Sequence, residues 1–90
     1  VTKLRQNRGI QTFTDLPYAD HIVTIVNGTP GLRALDVVVN GRVFRARRLD
    51  DGEVVRLDVS GAMRQGNDNV VTLVPRGRPG ESADVTIAED

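Results

Sequence analysis

Apolar and polar residues alternate on both sides of an Asn-Gly pair near the middle of the chain. The pair is Asn40-Gly41, and mostly β-branched and aromatic residues flank it. A two-residue loop of this composition favours a type I′ hairpin, because both loop residues must adopt positive φ. The hairpin predicts a register in which Val37 lies opposite Phe44 and Asp36 lies opposite Arg45. A slip of one residue would exchange the two faces of one strand, so the register decides which side chains are buried.

A second two-residue hairpin is predicted at Asp51-Gly52. It would pair Phe44 with Val59 and Arg45 with Asp58, so that residues 34–60 form a three-stranded meander. Both predicted turns agree on a single core face. That face consists of Leu35, Val37, Val39, Phe44, Ala46, Val55, Leu57 and Val59.

The same register predicts a ladder of opposite charges on the other face of the meander. Asp36, Arg45 and Asp58 would lie side by side across the three strands. Cross-strand pairs of opposite charge each contribute roughly 0.2–1 kcal/mol. We therefore interpret Arg45 as a structural residue held by two carboxylates, and not as a binding residue.

Further strands are predicted by composition over 21–26, 70–74 and 83–87, with turn residues between them. One short helical turn is expected near 60–65, with Ser60 as its N-cap, Gly66 as its stop and Met63 closing the end of the core. Residues 1–20 are expected to form an N-terminal linker or an edge strand, and residues 21–90 the domain. The fold class is all-β, a small antiparallel sandwich of six to seven strands, immunoglobulin-like or alternatively a jelly roll.

Composition narrows the chemistry available to this chain. Its 90 residues contain no cysteine, one histidine and three aromatic residues, and the net charge is zero. Residues 1–48 carry eight bases and three acids, whereas residues 49–90 carry four bases and nine acids. Such halves interleave in a sandwich, so their charges are expected to neutralise each other. No apolar run approaches the roughly 18 residues that a membrane-spanning helix needs.

No catalytic or metal-binding constellation is recognisable, so we expect no enzyme activity, no cofactor and no metal site. His21 adjoins Asp20, but no serine lies in a nucleophile motif. Nucleic-acid binding is not expected, because a basic net charge and stacking aromatics are both missing. The candidate binding residues are Tyr18, as an aromatic platform, with Arg76 and Arg78 in the glycine- and proline-rich segment that follows the 70–74 strand.

The chain resembles the accessory β-sandwich modules of large bacterial secreted or surface proteins, of the immunoglobulin-like or galactose-binding-like type. The resemblance rests on Val39-Asn40-Gly41, on residues 57–60, on Gly66 followed by residues 69–73, and on residues 83–87. In jelly-roll modules a Gly-x-Asn motif introduces a late strand, and here the spacing from Gly66 to Asn69 is one residue longer. The resemblance implies a sandwich without catalytic function and supplies no site residues.

We therefore expect a non-catalytic structural or protein-interaction module of a larger protein, in an extracytoplasmic location, secreted or at the cell surface. Its partners would be neighbouring domains of the parent protein or another protein. The alternative is a carbohydrate-binding module, in which Tyr18 and the 76–82 loop would contact a glycan. A self-associating adhesive domain that pairs through a sheet edge is a further alternative.

Overall fold

The chain folds into two four-stranded antiparallel sheets that enclose one core. The structure is a computed structural model that describes residues 2–5 by their backbone and residues 10–89 in full. The strands are β1 (Thr2–Arg5), β2 (Gln11–Leu16), β3 (Ile22–Asn27), β4 (Ala34–Val39), β5 (Arg42–Ala46), β6 (Val54–Asp58), β7 (Asn69–Arg76) and β8 (Ser82–Ala88). The all-β sandwich is thus confirmed, with eight strands in the described residues where six to seven were expected.

The strand order is that of a jelly roll. Sheet A has the order β1-β8-β3-β6 and sheet B the order β2-β7-β4-β5. The pairs β4–β5, β3–β6, β2–β7 and β1–β8 are nested around the β4–β5 turn, as though one long hairpin had been wrapped into a barrel-like sandwich. In the immunoglobulin order the first and last strands belong to different sheets, whereas here β1 and β8 are neighbours.

The hairpin at Asn40-Gly41 is confirmed. Asn40 has φ +49° and Gly41 has φ +89°, as a type I′ turn requires. The register pairs Asp36 with Arg45 and Val37 with Phe44. The two turn residues therefore predicted the pairing of β4 with β5 correctly.

The prediction of a hairpin at Asp51-Gly52 is wrong. Gly52 has positive φ, but the segment after β5 crosses from sheet B to sheet A, and β6 pairs with β3 instead of β5. Asp58 lies opposite Ile22, so it cannot extend the Asp36–Arg45 pair. A turn dipeptide specifies a local change of direction, whereas the sheet that receives the next strand is decided by long-range packing.

The core face predicted from the false meander is nevertheless buried or partly buried. Leu35, Val37, Val39, Ala46 and Val59 are buried, and Phe44, Val55 and Leu57 pack against the core while partly exposed. Strand alternation assigns the inward face of β6 in either arrangement. Because β6 belongs to sheet A, its inward residues face sheet B across the core, whereas the predicted meander placed them beside β5 in one sheet.

The helical turn and the N-terminal strands complete the sandwich. A 3-10 turn spans Ser60–Ala62, and Met63 after it is buried as expected. Ser60 is not the N-cap; Val59 holds that position without a side-chain cap bond. Of the segment 1–20, residues 2–5 and 11–16 form strands at the edges of the two sheets, and residues 1 and 6–9 lie outside the described residues.

Candidate functional site

A buried carboxylate lies on the outer face of sheet B. Alternation along β4 turns Leu35 and Val37 into the core and Asp36 outward. Yet only 9% of the Asp36 side chain is exposed, because guanidinium groups from both neighbouring strands cover it. A buried carboxylate requires charged or hydrogen-bonding partners, and here arginines supply them.

Two arginines share this single carboxylate. Arg76 on β7 donates from Nε and Nη2 to Oδ2 of Asp36, at 3.2 and 3.1 Å. Arg45 on β5 places its Nε 3.8 Å from Oδ1. Both arginine side chains are more than half exposed, at 64% and 52%. One negative charge thus anchors two positive charges whose remaining N–H groups face solvent, since a guanidinium carries five donors.

A shallow cavity of about 470 Å³ opens beside these groups. It is lined by Ala34, Asp36, Arg45, Arg47 and Arg76. Arg47 adds a third positive charge, and within residues 10–89 it makes no ion pair or hydrogen bond through its side chain. With one acid among three bases, the lining carries a net charge of +2 on a chain whose total charge is zero. Exposed guanidinium groups of this kind bind carboxylates and other oxyanions.

The cavity continues into an arginine-rich sheet edge. We define the arginine edge as Arg42, Arg45, Arg47 and Arg48, all on β5 or directly after it, with no acid among residues 42–48. β5 is the last strand of sheet B. The guanidinium of Arg42 lies 5.2 Å from the centroid of the Phe44 ring, on the inward side of the strand. Arg48 is exposed and adopts φ +54°.

The structure does not bring the sequence-predicted binding residues together. Arg76 ends β7, and Arg78 is an exposed residue of the loop that follows. Tyr18 follows β2, whose last residue pairs with Asn69 at the start of β7. An eight-residue strand is about 27 Å long, so Tyr18 lies at the opposite end of the sandwich from the two arginines.

Tyr18 is also a poor aromatic platform. It is half-buried, packs against the core and lies with its ring centroid 6.0 Å from that of His21. Its backbone N–H donates to the carbonyl of Gly66. Phe13 and Phe44, the two other aromatics, likewise pack against the core.

The partners of Arg76 were the main feature missed from the sequence. Asp36 was correctly placed beside Arg45 but given Asp58 as the third member of the ladder, where the structure has Arg76. The pairing of β4 with β7 places Ala34 opposite Arg76 and Asp36 opposite Val74, and no turn residue signals that long-range register. The ladder is therefore positive–negative–positive, and it leaves positive charge in excess.

Acidic side chains in the loops near Arg76 accept hydrogen bonds from the backbone of those loops. A second cavity of about 440 Å³ is lined in part by Asp50, Asp51 and Glu81. Asp51 accepts a hydrogen bond of 2.8 Å from the backbone N–H of Gly31, and Glu81 accepts one from the backbone N–H of Arg78. Within the described part of the chain, no three histidine, aspartate or glutamate residues are grouped to hold a metal ion.

Comparison with known proteins yields no relative: no protein-family model, curated protein or solved structure matches this chain. None of the helices in the described residues is long and apolar enough to cross a membrane. Fold and site together define a small jelly-roll sandwich with a cationic edge.

Proposed function

We propose that this chain is a non-catalytic protein-interaction module of a larger, secreted or cell-surface protein, and that it binds acidic partners through the arginine edge. The observation that carries the proposal is the concentration of positive charge around Asp36 on a domain of zero net charge. The resemblance to bacterial accessory modules supports the extracytoplasmic setting.

A protein partner fits this surface better than a nucleic acid or a glycan. Single-stranded nucleic acids and sugars are commonly held on exposed aromatic rings. Phe13, Tyr18 and Phe44 all pack against the core. The outer face of sheet B instead presents valines beside the arginines, with Val43 and Val70 among its exposed members. Apolar side chains next to guanidinium groups are typical of protein interfaces, where arginine is enriched.

The test is the binding of a fluorescein-labelled heptapeptide of alternating threonine and glutamate, followed by fluorescence anisotropy. We expect saturable binding that weakens as ionic strength rises from about 0.01 M to about 0.1 M, because the Debye length falls from about 30 Å to about 10 Å. Replacing the glutamates by glutamine should abolish binding.

The matched variants are Arg47→Gln and Arg64→Gln. Each removes one exposed positive charge, but Arg64 lies in the loop before β7 and does not line the cavity beside Asp36. We expect Arg47→Gln to weaken binding several-fold and Arg64→Gln to leave it unchanged. Equal effects of the two variants, or tighter binding of a labelled oligothymidylate than of the peptide, would overturn the proposal.

A further inference from the structure

In the part of the chain that the structure describes, the outer edge of β5 has no hydrogen-bonded neighbour. The pairing of β4 shows which backbone groups of β5 point toward that edge. The N–H of Asn40 donates to the carbonyl of Val70, at 2.9 Å. Since bonded and non-bonded positions alternate along an antiparallel pair, the even-numbered residues of β4 bond toward β7 and the odd-numbered ones toward β5. The backbone groups of Val38 and Asp36 therefore form no hydrogen bonds with the backbone of their register partners on β5.

Those partners are Val43 and Arg45. Their backbone N–H and C=O groups consequently point away from β4, out of the sheet. Val43 is 46% exposed, so its flank is open to solvent. A strand placed beside β5 would meet two donors and two acceptors in regular spacing, which is the arrangement used when a peptide extends a sheet.

The other edge of sheet B is unsuited to the same use. In β2 the register with β7 shifts between Phe13 and Leu16, and Asp15 within that interval adopts φ +57°. Such an irregularity interrupts the ladder and discourages pairing with a further strand. β5 has no such shift over its whole pairing with β4.

Charge decides which strand fits beside β5. A second copy of β5 would bring arginine against arginine, and like charges in neighbouring strands are destabilising. A segment with carboxylates at alternate positions would place them on the same face as Arg45 and Arg47. Those two side chains lie on the outer face, beside the cavity that also holds Arg76.

Resting on the interaction function proposed above, we propose that an extended acidic segment of a partner protein adds to β5 as a fifth strand of sheet B. Its backbone bonds Val43 and Arg45, and its carboxylates contact Arg45 and Arg47. Charge selects the partner, and the backbone bonds align it along the strand.

Two proline variants separate strand addition from charge attraction. Val43→Pro removes an outward N–H of β5. Val54→Pro makes the same change on β6, the edge strand of sheet A. There the bond of 2.8 Å from the N–H of Asn27 to the carbonyl of Glu53 shows that Val54 also points its N–H outward. Proline is tolerated where an edge N–H faces solvent. We expect Val43→Pro to weaken binding of the threonine–glutamate heptapeptide about tenfold, and Val54→Pro to leave it unchanged.

A second measurement does not depend on the variants folding. The same heptapeptide with alternate backbone nitrogens methylated keeps its charge but cannot pair along one edge. With ¹⁵N-labelled wild-type domain, the unmethylated peptide should slow hydrogen exchange at the amides of Val43 and Arg45, and the methylated peptide should not. Methylated and unmethylated peptides that bind equally, with Arg47→Gln weakening both, would overturn strand addition and leave the interaction function standing. Loss of all charge-dependent binding would overturn both.

Discussion

The side-chain amide of Asn40 donates a hydrogen bond of 2.8 Å to Oδ1 of Asn69, which joins the β4–β5 turn to the start of β7. Asn69 is fully buried, and its amide nitrogen donates to the carbonyls of Leu16 and Arg64. Its Oδ1 also accepts from the backbone N–H of Arg64. The Asn69 side chain therefore joins the end of β2, the loop at Arg64 and the β4–β5 turn at one end of the sandwich.

Replacing Asn69 by alanine should destabilise the domain by about 2–4 kcal/mol, since several buried backbone groups would lose their partners. Urea denaturation followed by circular dichroism measures the change. The control is Asn67→Ala, which removes the same side chain from an exposed position two residues away and should stay within about 0.5 kcal/mol of wild type. Equal losses in the two variants would contradict the assigned role of Asn69.

A second buried asparagine organises the opposite end. Asn27 donates to the carbonyls of Leu32 and Asp50, both at 2.9 Å, and accepts from the N–H of Leu32 at 2.7 Å. Gly31 packs directly on this amide, and a Cβ at Gly31 would overlap it.

Gly31→Ala should therefore destabilise the domain by about 1–3 kcal/mol, because either the Asn27 amide or the loop backbone must move. The matched control is Gly61→Ala. A Cβ at Gly61 would approach only the end of the Arg42 side chain, at 3.6 Å. We expect thermal melts to show a lowered Tm for Gly31→Ala alone. A Tm for Gly31→Ala equal to that of wild type would show that the loop accommodates the methyl group without strain.

Local chemistry predicted the parts of the fold that depend on neighbouring residues. Asn40-Gly41 specified the turn, the register and the inward face of β4 and β5. Alternation then identified Val55 and Leu57 as inward-facing although their strand was assigned to the wrong sheet. The crossing between β5 and β6 was not predictable from Asp51-Gly52, because it depends on packing between distant segments.

In the candidate site, too, the contacts between residues near in sequence were predictable and those between distant strands were not. The Asp36–Arg45 pair follows from a tight turn, and it was predicted. The approach of Arg76 to Asp36 depends on β4 meeting β7 forty positions along the chain, so it required the structure. Without Arg76 the carboxylate was assigned to a ladder with two acids and one base, and the excess positive charge of the cavity went unrecognised.

Asp58 should make the stability of the domain depend on acid pH. The backbone N–H of Ser60 donates to its carboxylate at 2.9 Å, and this bond, followed by one from the Ser60 hydroxyl, lowers the pKa of Asp58 below its ordinary value. His21 adds a smaller favourable charge interaction. A pKa lower in the folded chain than in the unfolded chain means that the ionised form stabilises the fold.

That stabilisation is fully present above the unfolded pKa of about 3.9 and is lost as the pH falls through the folded pKa. We expect Asp58→Asn to melt below wild type at pH 7 and the two Tm values to converge toward pH 2. Ser60→Ala keeps the backbone bond, so in an NMR titration of the Asp58 carboxyl carbon it should raise the pKa only in part. Parallel Tm curves for wild type and Asp58→Asn would contradict the linkage.

Asp36 should affect stability and binding in opposite directions. Asp36→Asn removes the charge that holds Arg45 and Arg76, so the free energy of unfolding should fall by about 1 kcal/mol. The same change raises the net charge of the cavity lining from +2 to +3, so affinity for the threonine–glutamate heptapeptide should rise at low ionic strength. Urea denaturation and fluorescence anisotropy measure the two effects. Asp68→Asn makes an identical charge change in an exposed loop, and it should alter neither quantity appreciably. If affinity falls together with stability, Asp36 does not compete with the ligand but holds the guanidinium groups in the geometry that binding requires.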